Sequence, residues 1–368
     1  MIPVNTPSLS GNERKYLNEC IDTGWISSEG PFITRFEHDM AACVGRTYGV
    51  AVCNGSVALD AAVLALGIGP GDEVIMPTFT IISCAAAIVR AGATPVTVDC
   101  DPTTFNLTAE GVAAAITPRT KAVMVVHIYG LPCPMDPILE LCRKHNLYLI
   151  EDAAEMHGQT YKGKPCGSFG DISTFSFYPN KHITTGEGGM VMTSDAQLAE
   201  RIKSLRNLCF IPSQRFVHEE LGFNFRMTNL QAALGVAQLE QLDAFVEKKR
   251  AMGRRYLHNL NGLPGVQLPL EHTPDAENIY WVFPLVCVDA ETKNRAVDAL
   301  GKAGIGTRPF FWCMHEQPVF IKQNMFQGVK HPHAEHIARC GFYVPSGLGL
   351  TDAEIDQVSE TLWTIFKT

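Results

Sequence analysis

Lys181 stands in a polar turn, Pro179-Asn180-Lys181-His182-Ile183-Thr184-Thr185-Gly186-Glu187-Gly188-Gly189, between two apolar runs, Ile172 to Tyr178 and Met190 to Met192. An amine there can attack a carbonyl, or carry a proton, once burial or cationic neighbours lower its pKa. Most loop lysines are solvated charges, so the surroundings decide. Gly186, Gly188 and Gly189 let the backbone approach a ligand or adopt positive φ, and Ser176 offers a hydroxyl to an anionic group. Upstream, the apolar run Leu147 to Ile150 ends in Glu151-Asp152-Ala153-Ala154-Glu155. Carboxylates at strand ends sit where open α/β sheets keep their chemistry, although Asp152 can equally be a helix cap or turn former.

A third element is a phosphate seat. Val50 to Cys53 reads as a strand, Asn54-Gly55-Ser56 as a tight turn and Val57 to Leu66 as a helix. The free amides of a helix start attract anions, but a serine there is also an ordinary N-cap. A lysine, a strand-end acid and a phosphate-binding turn are what an enzyme dependent on pyridoxal 5′-phosphate must supply. The lysine bonds the cofactor aldehyde, the carboxylate keeps the pyridine nitrogen protonated, and backbone donors hold the phosphate.

The set Glu-Asp-Ala-Ala-Glu, Phe-Ser-Phe-x-x-Asn-Lys and Thr-Thr-Gly-Glu-Gly-Gly-Met resembles the nucleotide-sugar aminotransferases of the DegT/DnrJ/EryC1/StrS family. The resemblance implies a fold type I α/β protein with pyridoxal 5′-phosphate as cofactor. It implies that L-glutamate donates an amino group to a nucleotide-linked deoxysugar ketone, first of all a GDP-linked 4-keto-6-deoxyhexose, for surface polysaccharide synthesis. UDP- or dTDP-linked 4-keto or 3-keto sugars, or a non-catalytic cofactor-binding regulator, are the alternatives.

Residue by residue, the resemblance makes Lys181 catalytic, and gives Gly55 and Ser56 to the phosphate and Asp152 to the ring nitrogen, while the Ser176 hydroxyl is a further cofactor-binding candidate. Glu155 falls beside the cofactor's phenolic oxygen. Many relatives carry an aromatic ring where this chain has Ile81, so either Ile81 packs on the pyridine by dispersion alone, or Phe79 or another side chain takes the place of that ring. The Gly-Phe-Asn-Phe-Arg-Met-Thr run is a second signature, in which Asn224 reaches the phosphate of a neighbouring subunit and Arg226 meets an incoming carboxylate. A homodimer with shared sites follows; the alternative is that both residues only stabilise their loop. Trp25, Arg308 and His315 fall in segments near the sugar nucleotide, whereas plain core packing would bury Trp25. His127, at a strand end, either faces the ligand or is a satisfied structural histidine.

The elements that must position these groups alternate from strand to helix over the first two thirds of the chain. That rhythm predicts a large domain, 1–247, with a mostly parallel sheet covered on both faces. From Lys248 the alternation weakens, and 248–368 reads as a smaller α+β domain. One helix is expected over Leu230 to Phe245, another from Lys248 to Leu260, and strands at Tyr280 to Val288 and Thr307 to Phe311.

Composition narrows the rest. With 368 residues and a net charge of -8, the chain has no basic excess for nucleic acid. No apolar run approaches a membrane span. The 12 cysteines are scattered without a CxxC pair, which points to reduced thiols in a cytoplasmic enzyme. His331, His333, Glu335 and His336 invite a metal, but Pro332 spoils a helical ligand face, so no metal is expected.

Overall fold

The computed structural model describes residues 1–211 and 213–367. Seven strands form the main sheet, in the order Tyr48–Val52, Gly189–Thr193, Ile172–Ser176, Tyr148–Asp152, Thr120–Val126, Glu73–Pro77 and Thr94–Val98. Gly189–Thr193 runs antiparallel to both of its neighbours, and the remaining pairs are parallel. The central strands are continuous apolar runs because both faces are covered. Their alternation still sorts side chains: Val123 and Val125 enter one core, and Ala122, Met124 and Val126 the other. Register brings Val126, Asp152 and Thr174 abreast on three adjacent strands at one edge of the sheet.

A second, antiparallel sheet holds Val266–Gln267, Phe283–Cys287, Gly341–Val344 and Arg308–Pro309. The helices Ala290–Lys302 and Asp352–Phe366 pack on it through Ala296, Leu300, Ile355, Val358 and Leu362. Among the described residues no helix is long and apolar enough to cross a membrane.

Several expected elements differ. The helix expected over Leu230 to Phe245 is broken at Glu240 and Gln241, giving Asn229–Leu239 and Leu242–Leu260. Glu240 anchors that break by accepting hydrogen bonds from Asn12, Tyr16 and Arg35. The second helix crosses the 247/248 boundary without interruption, lending Phe245 and Val246 to the main core and Met252, Tyr256 and Leu260 to the core beneath the second sheet. The strand expected over Thr307 to Phe311 shrinks to two residues, since Pro309 has no N–H for a ladder. The helix Pro332–Cys340 starts at the histidine cluster, and the short strand that follows it, Gly341–Val344, carried no recognised sequence signal.

Candidate active site

At the edge where Val126, Asp152 and Thr174 end, a cavity of about 670 Å³ opens. Gly55, Ser56, Ile81, His127, Asp152, Glu155, Ser176 and Lys181 all line it. Lys181 Nζ lies 3.7 Å from Glu155 Oε1 and 3.9 Å from the centroid of the Trp281 ring. The other Glu155 oxygen accepts the Tyr129 N–H at 2.7 Å. Burial pushes the Lys181 amine down and the Glu155 carboxyl up, which draws their titrations together.

Asp152 is almost wholly enclosed. It accepts the Ala154 N–H at 3.1 Å and the Cys84 thiol at 3.4 Å. No cation stands within ion-pair distance of it among the described residues, and burial raises its pKa. A protonated ring nitrogen satisfies such a carboxylate. Two further cavity residues have orphaned buried oxygens, Thr174 Oγ1 and Asn180 Oδ1.

The phosphate seat is capped by Asn54 rather than by Ser56: Asn54 Oδ1 accepts the Val57 N–H at 3.0 Å. Gly55 and Ser56 therefore start the helix Gly55–Ala65 with amides that have no intrahelical partner. A Cβ on Gly55 would fall 2.7 Å from Ser176 Cβ, so glycine is what lets this turn press against the strand carrying Ser176. The Ser56 and Ser83 hydroxyls share a 2.7 Å hydrogen bond at the rim. Free amides and hydroxyls at one end, an unpaired carboxylate at the other and an amine between them fit pyridoxal 5′-phosphate. In the lysine turn only Gly186 has positive φ, +81°. Gly189 closes on the Asn54 backbone instead of a ligand, because a Cβ there would lie 2.4 Å from Asn54 O.

Ile81 is 44% exposed at the cavity, whereas Phe79 is fully buried among Phe105, Tyr129, Phe310 and Phe311, so Phe79 is no substitute for a stacking ring. His127 has both ring nitrogens engaged: Nδ1 accepts the Cys133 N–H at 3.0 Å, which leaves Nε2 to donate to Glu151 at 3.1 Å. It contributes a wall rather than a free acid or base.

The other expected residues lie outside the cavity. His315 is the clear correction. It is buried, with Nδ1 at 2.7 Å from Thr78 Oγ1 and Nε2 at 3.1 Å from Glu335, so neither nitrogen is free for a sugar. Trp25 is half exposed rather than buried. Arg308 is exposed and pairs in register with Tyr343, a cavity residue. Asn224 is exposed and bridges to Asn207. Arg226 donates to Asn207 Oδ1 at 2.6 Å and lines a separate basic cavity with Lys203, Arg206 and Arg215. Of the histidine cluster, only Glu335 falls in a group close enough for a cation among the described residues, and its companions there are His315 and Glu316. Arg339 already pairs with both carboxylates, however.

Sequence reasoning missed Trp281, Phe311 and Tyr343 in the wall. Trp281 lies in a stretch read only as a strand, Phe311 in one read as a strand near the sugar nucleotide and Tyr343 in one that carried no signal, and no local period tells which ring turns toward the lysine.

The DegT/DnrJ/EryC1/StrS aminotransferase family matches residues 7–363. The chain is 43% identical over 361 residues to the GDP-perosamine synthase of Escherichia coli O157:H7, with 98% of this chain and 97% of that protein covered. It is 45% identical over 364 residues to the GDP-perosamine synthase of Caulobacter vibrioides, again covering 98% and 97%. The crystal structure of the aminotransferase TlmJ from Streptoalloteichus hindustanus superposes with a TM-score of 0.93 at 31% identity, over 100% of this chain and 99% of that one. Sequence match along nearly the whole length, a shared fold and the cavity built around Lys181 agree, and the chain belongs to the DegT/DnrJ/EryC1/StrS aminotransferase family.

Proposed function

We propose that this chain transfers the amino group of L-glutamate to C4 of a GDP-linked 4-keto-6-deoxyhexose, GDP-4-keto-6-deoxy-D-mannose, and so makes GDP-perosamine. One observation carries the chemistry: the Lys181 amine sits beside Glu155 in the same cavity as the buried Asp152 carboxylate and the free helix-start amides. The acceptor rests on the names of perosamine synthases similar to this chain.

Pyridoxal 5′-phosphate, when bound, supplies the electron sink that makes the donor's Cα–H bond acidic. Gly55, Ser56 and Ser176 bind its phosphate, Asp152 holds a proton on its ring nitrogen, and Ile81 packs on it by dispersion. Lys181 Nζ takes the proton from the glutamate Cα and later delivers one to the sugar carbon. Burial helps, because a lowered pKa leaves the amine neutral nearer physiological pH. Glu155 orients that amine, and the rings of Trp281, Phe311 and Tyr343 exclude water. Asn224 and Arg226, outside the cavity of their own subunit, serve the cavity of a second copy, so the active unit is a homodimer. Trp25 and Arg308, which do not line the cavity, receive the sugar nucleotide. A cytoplasmic location goes with this reading and suits cysteines held singly as free thiols.

The test is a visible spectrum of the protein with cofactor, before and after L-glutamate, beside Lys181→Ala. Wild type should respond to glutamate and then convert GDP-4-keto-6-deoxy-D-mannose to an amino sugar detected by mass spectrometry, and the variant should not turn over. A spectrum indifferent to glutamate refutes the donor. Faster turnover of a UDP- or dTDP-linked keto sugar refutes the acceptor.

A further inference from the structure

We propose that Lys249 is a positioning residue for the reacting amine: its buried side-chain amine grips the carbonyls of Trp281 and Ser346 and so fixes the indole that lies over Lys181. The inference rests on the reading of Lys181 as that amine.

Lys249 is 2% exposed on the helix Leu242–Leu260. Its Nζ donates to Trp281 O at 2.8 Å and to Ser346 O, and it forms no ion pair among the described residues. Burial alone pushes its pKa down to about 7. A buried amine without a counter-charge is costly, and an apolar side chain would fill the space more cheaply. What the amine supplies is a donor for backbone that has left the ladder.

The stretch Asn278 to Val282 precedes the strand Phe283–Cys287, and its polar groups are satisfied piecemeal. Tyr280 N–H donates to Asn278 Oδ1 at 2.7 Å, His182 Nε2 donates to Ile279 O at 3.1 Å, and Phe283 N–H donates to Ser346 Oγ at 2.8 Å. Tyr280 has φ of +48°, strained for an aromatic residue and kept only where neighbours over-determine it. For Trp281 O the neighbour is Lys249. From there the indole N–H donates to Asn180 O at 2.8 Å and the ring covers Lys181 Nζ. One turn along the same helix face, Gly253 lets the Tyr280 ring touch the backbone, since a Cβ there would lie 2.3 Å from that ring. Tyr256 OH donates to Pro345 O at 2.9 Å. One helix face thus clamps both segments.

The readout is the pH midpoint for modification of Lys181 by a small acylating reagent in cofactor-free protein, followed by peptide mass spectrometry. Failure of the aminotransferase reading would leave this measurement intact. Glu155, Asp152 and Cys84 favour the Lys181 ammonium electrostatically, and the buried rings of His157 and His182 lie behind it. None of these is altered in the variants. Removing the aromatic face should lower the midpoint by about 0.5–1 pH unit. Lys249→Met and Trp281→Leu should shift it equally, and the double variant no further. Lys249→Gln, which keeps an N–H donor and disturbs folding less, should shift it part of the way in the same direction. With cofactor, Lys249→Met should lower kcat about tenfold while leaving KM for glutamate within about twofold. A reduced melting temperature with an unmoved Lys181 midpoint in both Lys249 variants, or additive shifts in the double variant, would overturn the proposal.

Discussion

Lys181 and Glu155 are held 3.7 Å apart in a site that penalises both charges, so each sets the other's titration. The sign follows directly. The carboxylate favours the ammonium, and its loss lets burial lower the amine pKa further. In Glu155→Gln, the rise of glutamate half-reaction rate with pH should therefore move to lower pH, which single-turnover rates across a pH series would show. Asp152 has a different task, to hold a proton on the ring, and Asn cannot supply the charge. Asp152→Asn should lower kcat about 10- to 1000-fold, matching the 1–3 pKa units that an adjacent opposite charge controls, with little change in melting temperature. His315 marks the contrast between chemistry and packing. His315→Ala strips partners from Thr78 and Glu335 and should cost about 1–3 kcal/mol in denaturant unfolding, while KM for the sugar nucleotide stays unchanged.

Elements set these residues by where they begin and end. The helix Gly55–Ala65 points its first amides into the cavity because Asn54, in extended backbone, caps Val57 and leaves the two preceding N–H groups free. Asn54→Ala should destabilise the protein by about 0.5–2 kcal/mol and weaken cofactor affinity, measurable by fluorescence titration; unaltered affinity would mean the helix start is not the phosphate seat. The helix Leu242–Leu260 works through its flank instead. Its uninterrupted course from one core to the other brings Lys249 and Gly253 against the segment that carries Trp281. A division of the chain near residue 247 accordingly has to be sought in motion about this helix rather than in a linker.

For the whole molecule, the question is whether one subunit is a complete catalyst. Asn224 and Arg226 lie on the loop beside a basic cavity and do not line the cavity of Lys181 in their own chain, and Phe216 and Leu221 on the same loop are exposed at 74% and 89%. If a second copy is served by that loop, two inactive variants should complement each other. Mixing Lys181→Ala with Asn224→Ala after dissociation and reassociation should regenerate about a quarter of the wild-type sites. An inactive mixture of properly reassociated dimers would show that Asn224 acts within its own chain.

Much of this protein is legible from its sequence because it is local. Continuous apolar runs ending in polar turns imply a buried, mostly parallel sheet, and chemistry-bearing residues at those ends, Asp152 and the Lys181 turn, declare an active edge. The neighbouring Gly55 and Ser56 are likewise recognisable as a helix start, although which residue caps it depends on a rotamer of Asn54. Tertiary structure decided everything that joins distant segments. Trp281 reaches Asn180 across 101 residues and Lys249 reaches Ser346 across 97. No periodicity records those meetings, and a residue of a type that could bind substrate elsewhere, His315, is spent on Thr78 and Glu335 in the core. Sequence pattern determines which chemistry the chain carries; close packing of two cores against one helix determines which groups stand near enough, and dry enough, to use it.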